Sequence, residues 1–123
     1  MWVADTSWLY ALFRGDDAHH ATARREAAEP VPVFINPATL VEFLDLLRER
    51  SGHAESLAAL AALMATPTVR LVGPSKPAMM ARVVAAHSRL SWQDAAAICT
   101  ALDEGAGLRT FDKTQRKAFE AMA

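Results

Sequence analysis

"SWQDAAAICTALDEGAGLRTFD", residues 91–112, is the stretch that decides the fold. Its first part reads as a helix from Ser91 to Gly105, apolar on most sides. "LRTF" (108–111), after "GAG", reads as a short strand, and Asp112 follows it directly. The helix carries a second carboxylate, Asp94, one turn before Ile98 and two before Ala101 and Leu102. Positions three, four and seven apart share a helical face. Asp94 is therefore expected on the side that meets the core, where a charge is costly unless paired or bound to a metal.

The same alternation of helix and strand extends outward in both directions. "WVA" (2–4), "VPVFI" (31–35) and "VRLV" (69–72) are short runs rich in β-branched or aromatic residues. Between them lie helical patterns. One or two short helices fill 7–28, and another runs from Pro37 to about Arg50, with Asn36 as its cap. A third covers about 53–65, where Leu57, Leu60 and Leu63 recur at helical spacing. A fourth runs from Ser75 to His87, and a last one follows Asp112. Such alternation predicts a three-layer α/β/α sandwich around a twisted parallel sheet of four strands, five at most. One domain, residues 1–123, is expected at this length. Ligands of open sheets gather beyond the carboxyl ends of the strands.

The totals narrow the function. The chain is 52% hydrophobic, enough for a real core, and carries 13 basic against 14 acidic residues. That balance predicts no bulk attraction to a polyanion, so any nucleic-acid contact is a local patch. Cys99 is the only cysteine, which excludes an internal disulfide and any C-x-x-C zinc site and fits a cytoplasmic protein. "MWVADTSWLYALF" has Asp5 inside its apolar run and makes a poor signal peptide. The longest wholly apolar run, "LAALAALMA" (57–65), is too short to span a bilayer. G-x-x-x-x-G-K-[ST], G-x-G-x-x-G, G-x-S-x-G and H-E-x-x-H are all absent, which removes the motifs of nucleotide folds, esterases and zinc proteases.

Four carboxylates are placed to meet. Asp5 follows the first strand, Asp112 the last, Asp94 opens a helix, and Glu42 lies about two turns into the helix after the second strand. Each has a plainer role open to it. Asp5 and Asp112 suit helix caps, and Glu42 sits on the polar side of its helix. Ser91 and Asp94 fit the S-x-x-D capping box. If they converge, their mutual repulsion raises their pKa values and a divalent cation relieves it. Oxygen-only ligands suit Mg²⁺ or Mn²⁺, which polarise a phosphoryl oxygen and activate water.

"VADTS" (3–7), "PATLVEFL" (37–44), "LSWQDAAAICTAL" (90–102) and "LRTFD" (108–112), in this order, resemble the PIN domain, most closely its VapC-type toxin ribonucleases. The resemblance implies a parallel sheet flanked by helices and an acidic site of Asp5, Glu42, Asp94 and Asp112 holding Mg²⁺ or Mn²⁺. It implies that Ser7 and Thr110 support that site, and that the activity is metal-dependent hydrolysis of single-stranded or looped RNA. A small antitoxin that covers the site and a homodimer are the implied partners. Many relatives continue past the last helix into a further edge strand; here the chain stops at "KAFEAMA".

Other features are weighed against this reading. Lys113, Arg116 and Lys117 follow Asp112 and suit either an RNA backbone or a solvated last helix. His19 and His20 are adjacent and point about 100° apart on a helix, so they make no chelating pair; His53 and His87 stand alone. Trp2, Trp8 and Trp92 are expected to pack in the core or against a partner rather than stack on bases. Two rivals stand beside the nuclease. One is a PIN-like nucleic-acid- or protein-binding module with little catalysis. The other is phosphatase chemistry of the haloacid-dehalogenase type, which resembles D-x-D after the first strand where this chain has "DTS".

Overall fold

The computed structural model describes residues 1–123. Four strands form one sheet: β1 (Trp2–Ala4), β2 (Val33–Ile35), β3 (Val69–Leu71) and β4 (Gly107–Arg109). Seven helices connect and follow them: α1 (Thr6–Phe13), α2 (His20–Ala27), α3 (Pro37–Ser51), α4 (His53–Ala65), α5 (Pro77–Ala86), α6 (Trp92–Glu104) and α7 (Lys113–Met122). The order is β3-β2-β1-β4 and every pairing is parallel. β1 meets β4 in the register Val3 to Leu108 and β2 in the register Val3 to Phe34. The chain steps outward from β1 to β3, then crosses back to β4, so the topology reverses between β1 and β4. In open sheets that reversal is where ligands bind.

Alternation along the strands splits the core in two. On one face Val3 and Leu108 pack with Val83, Ala95, Ile98, Cys99 and Ala118 from α5, α6 and α7. On the other, Ala4, Val33 and Ile35 pack with Trp8, Leu9, Ala23, Phe43, Leu47 and Leu63 from α1 to α4. This is the three-layer sandwich predicted from the alternation of elements. α6 is buried from Ala95 to Ala101 without a break, as its apolar circumference requires. Its end is set by Gly105, whose φ of 60° is a left-handed conformation that glycine adopts without strain. No helix is long and apolar enough to cross a membrane.

Element bounds differ from the sequence reading where side chains compete with the backbone. β4 ends at Arg109, and Thr110 turns its hydroxyl to the Asp112 N–H at 3.0 Å. α5 begins at Pro77 because Ser75 is taken into a buried network. Its Oγ accepts from Asn36 Nδ2 at 2.9 Å and donates to the Ala96 carbonyl at 2.9 Å. Asn36 also donates to Thr100 Oγ1 at 2.9 Å and, through Oδ1, caps α3 at the Ala38 N–H. This network ties the start of α3 to the middle of α6 with every group satisfied.

β4 is an edge strand. Arg116 Nη2 donates to the Leu108 and Thr110 carbonyls at 3.4 and 2.9 Å, covering part of that edge. Behind it, Arg109 is fully buried. Its guanidinium lies 4.8 Å from the Trp2 ring and 5.3 Å from the Trp8 ring and pairs with Glu29 at 3.1 Å. Burial lowers the Arg109 pKa, and Glu26 and Glu29 oppose that. Gly107 is required beside this stack: a Cβ there would meet the Trp2 ring at 2.6 Å.

Candidate metal centre

Asp5, Glu42, Asp94 and Asp112 line one cleft of about 330 Å³ at the carboxyl ends of β1 and β4. They come from the β1–α1 junction, α3, the first turn of α6 and the β4–α7 junction. Asp5 and Thr110, 105 residues apart in sequence, meet because β1 and β4 are neighbours in the sheet.

Asp5 is buried and its Oδ2 is saturated. It accepts from the Ser7 N–H at 3.2 Å, the Ser7 hydroxyl at 3.0 Å and the Thr110 hydroxyl at 3.0 Å. Ser7 Oγ also accepts from the Phe111 N–H at 2.9 Å, which ties the β4–α7 turn to the start of α1. Glu42 is half-buried and held by the Thr6 hydroxyl, which donates to Oε1. Asp112 caps α7: its Oδ1 accepts from the Thr114 and Gln115 N–H groups at 2.9 and 3.1 Å. Ser91 caps α6 by accepting from the Asp94 N–H at 3.1 Å. Gln115 Nε2 donates to the Asp94 carbonyl at 3.2 Å, joining α7 to α6 at the site.

The Asp94 carboxyl has its pKa pushed up to about 6. Burial is the main cause; Asp5 and then Asp112 add repulsion, and the Ser91 N–H and hydroxyl work against them. The acidic groups therefore feel one another. They do not form a preformed cluster, however: nowhere do three His, Cys, Asp or Glu side chains come close enough to hold an ion by themselves.

The donor set nonetheless suits a hard divalent cation. Every donor is a carboxylate oxygen, and in Asp5, Glu42 and Asp112 one oxygen is engaged within the protein while the other is left for the cleft. An arrangement spread around a cleft suits an ion such as Mg²⁺, which keeps several of its waters and takes only one or two carboxylates.

Several lining residues were not singled out from the sequence, and one, His19, was weighed there only as a metal ligand. Thr6, Tyr10, Asp17, His19, Leu46, Arg50 and Phe111 share the cleft. The signal for two of them was available, since Glu42, Leu46 and Arg50 recur every four residues and so share a face of α3. Arg50 lies 5.3 Å over the Tyr10 ring and is the one lysine or arginine in the cleft wall. His19, set aside as a chelating partner of His20, stacks on Phe111 with ring centroids 4.2 Å apart. His20 turns the other way, with Nδ1 2.7 Å from the Ala11 carbonyl.

Lys113 and Arg116 line a neighbouring groove of about 470 Å³ that shares His19, Phe111 and Asp112 with the cleft. Lys117 lies on another flank of α7. Trp8 is buried and donates from Nε1 to Glu26 at 3.1 Å, Trp2 is half-buried, and Trp92 is 58% exposed.

Comparison with known proteins gives this geometry a family. The fold is shared with VapC20 of Mycobacterium tuberculosis, described as a sarcin–ricin loop cleaving toxin: 27% identity over 100% of this chain and 95% of that one, TM-score 0.78. FitAcB of Neisseria gonorrhoeae is similar in fold at 16% identity, over 98% of this chain and 94% of that one, TM-score 0.72. PAE2754 of Pyrobaculum aerophilum is similar at 20% identity, over 95% and 78%, TM-score 0.65. No curated protein gives a significant sequence match. The PIN domain pattern itself matches residues 2–120, nearly the whole chain, and the protein belongs to the PIN domain family.

Proposed function

We propose that this chain is a metal-dependent endoribonuclease, the toxin of a toxin–antitoxin pair, hydrolysing phosphodiesters in single-stranded or looped RNA in the cytoplasm. The observation that carries the reading is the cleft in which Asp5, Glu42, Asp94 and Asp112 meet from four separate elements. In this reading residues 1–123 act as one domain. Asp5, Asp94 and Asp112 would hold Mg²⁺ or Mn²⁺, in part through its waters, and Glu42 completes the site or orients the attacking water. The ion supplies charge stabilisation at the scissile phosphate and a more acidic water.

The protein's own groups prepare that chemistry. Ser7 and Thr110 hold Asp5 in one orientation by fixing Oδ2. Thr6 does the same for Glu42. Such preorganisation removes motion that the reaction would otherwise have to freeze. Asp94 is the group whose ionisation the fold opposes most, so it gains most from a cation. The partners proposed are RNA, a small antitoxin that covers the cleft, and a second copy of the chain.

The test is an RNA cleavage assay with Mg²⁺, with Mn²⁺ and with a chelator, run beside Asp94→Asn. The sarcin–ricin loop is the first substrate to offer, because VapC20 is described as cleaving it. Cleavage that needs both the metal and Asp94 supports the assignment; wild-type cleavage by Asp94→Asn refutes it. The open spacing of the carboxylates supports a second reading, a PIN-fold module that binds nucleic acid or protein without cutting. Folded protein that binds RNA and never cleaves it in either metal would establish that reading.

A further inference from the structure

A hollow of about 300 Å³ lies on the flank of α7 where Lys117 sits. It is lined by His87, Ser88, Arg89, Thr114, Lys117 and Ala118. None of the six is acidic. Arg89 and Lys117 are exposed, and neither has a carboxylate within ion-pair distance.

The turn that supplies Arg89 is fixed. The His87 N–H donates to the Val83 carbonyl at 3.0 Å, the Leu90 N–H donates to the His87 carbonyl at 3.1 Å, and Leu90 is buried in the core. Two cations, an imidazole and two hydroxyls thus line one space, which is the chemistry of a phosphate contact.

Both walls lead directly to the acidic cleft. The turn 87–90 runs into Ser91, the cap of the helix whose first turn bears Asp94. The other wall is α7, where Thr114 donates its N–H to Asp112. We infer that this hollow holds a backbone phosphate of RNA, one flanking the phosphodiester that is cut, with Arg89 and Lys117 as its principal contacts. The inference rests on the ribonuclease reading. It also explains how a chain with nearly balanced charge can hold a polyanion: Arg89 and Lys117 add a local basic patch beside the acidic cleft, whose own wall has Arg50 as its only lysine or arginine.

The test uses the full chain with Arg89→Gln and Lys117→Gln together. Both positions are exposed, so an unchanged melting temperature establishes folding. Arg24→Gln with Arg25→Gln, on α2, removes the same charge elsewhere.

Binding of a single-stranded oligonucleotide is measured in an Asp94→Asn background with chelator, as a function of KCl. Loss of two phosphate contacts is expected to flatten the slope of log Kd against log salt by about 1.4 and to weaken binding roughly tenfold at low salt. In the active background KM rises and kcat is retained. An effect equal to that of the α2 pair, or no effect while the parent binds and cuts RNA, overturns the inference and leaves the ribonuclease reading standing. A parent that neither binds nor cuts RNA removes both.

Inorganic phosphate separates the two sources of this chemistry. Phosphate binding that the parent shows and the double variant loses, with RNA affinity and its salt slope the same in both, marks a free-anion site and overturns the inference. So does a defect of the double variant confined to binding an acidic protein partner.

Discussion

Asp94→Asn is expected to stabilise the metal-free protein while removing its activity. The wild-type carboxyl has a pKa of about 6 in the folded state, against about 3.9 in an unfolded chain. The folded state therefore binds this proton more tightly than the unfolded state does. Stability from this group is full below about pH 4 and is lost as pH rises through 6. Two pKa units correspond to about 3 kcal/mol, and solvent on the open side of the cleft trims this to about 2 kcal/mol. Asparagine keeps the size of the side chain and has no charge to bury.

The assay is thermal unfolding in chelator at several pH values, wild type against Asp94→Asn. At pH 8 the variant is expected to melt higher by about 8 °C, at roughly 4 °C per kcal/mol for a chain of this size. At pH 4 the two should nearly coincide, and taking the difference between them cancels the titration of other groups. Added Mg²⁺ should raise the wild-type melting temperature more than the variant's, because an ion that binds only the folded state stabilises it. A variant that melts lower than wild type at pH 8 in chelator, or a difference independent of pH, refutes the burial of Asp94 beside like charges.

Three other substitutions probe the rest of the structure. Thr6→Val removes the hydroxyl that holds Glu42 and should lower kcat roughly tenfold or more with the melting temperature nearly unchanged; equal rates would show that Glu42 needs no such positioning. Gly107→Ala drives a methyl into the Trp2 ring and should cost about 1–3 kcal/mol, read by urea unfolding. Arg109→Ala empties the space between Trp2 and Trp8 and should cost about 2–4 kcal/mol, again by urea unfolding; a loss under 1 kcal/mol would mean that its buried charge offsets its packing.

The fold was legible because its elements are local. Short β-branched runs ending in a carboxylate, and helices opened by Asn36, Ser91 and Asp112, write their signals into neighbouring residues. The sheet order was not legible, since nothing in "VRLV" says that it pairs with β2 at an edge. The contacts that hold the cleft were least visible. Thr6 with Glu42, Asn36 with Thr100, and Arg109 between Trp2 and Trp8 join residues far apart in sequence, and no periodicity records such a pairing. Arg109 in particular drew no attention in the sequence, yet the structure buries it. The hollow around Arg89 escaped for the same reason: Lys117 draws attention beside Asp112, but its companions arrive from the turn before α6.

The two roles posed by the sequence, cap and metal ligand, do not exclude one another in this geometry. Asp5 and Asp112 each use one oxygen to satisfy the free N–H groups of a helix start, and each keeps the other oxygen for the cleft. The positive end of a helix favours the ionised form of a carboxylate, so a cap is also a means of keeping a ligand charged. Asp94 differs, because Ser91 performs the capping, and the contacts that Ser91 returns to the Asp94 carboxyl are outweighed by burial and by the repulsion of Asp5 and Asp112. The three aspartates should therefore separate under substitution. Asparagine at position 5 or 112 retains an acceptor for the cap and removes the charge, costing activity and little stability. Alanine at the same positions should lose both, by about 1 kcal/mol for the cap. At position 94 even alanine should leave the metal-free protein at least as stable as wild type at pH 8. A cleft assembled from caps is thus held in place by the same bonds that start its helices, and in the proposed metal site Asp94 is the carboxylate that would gain most from an ion.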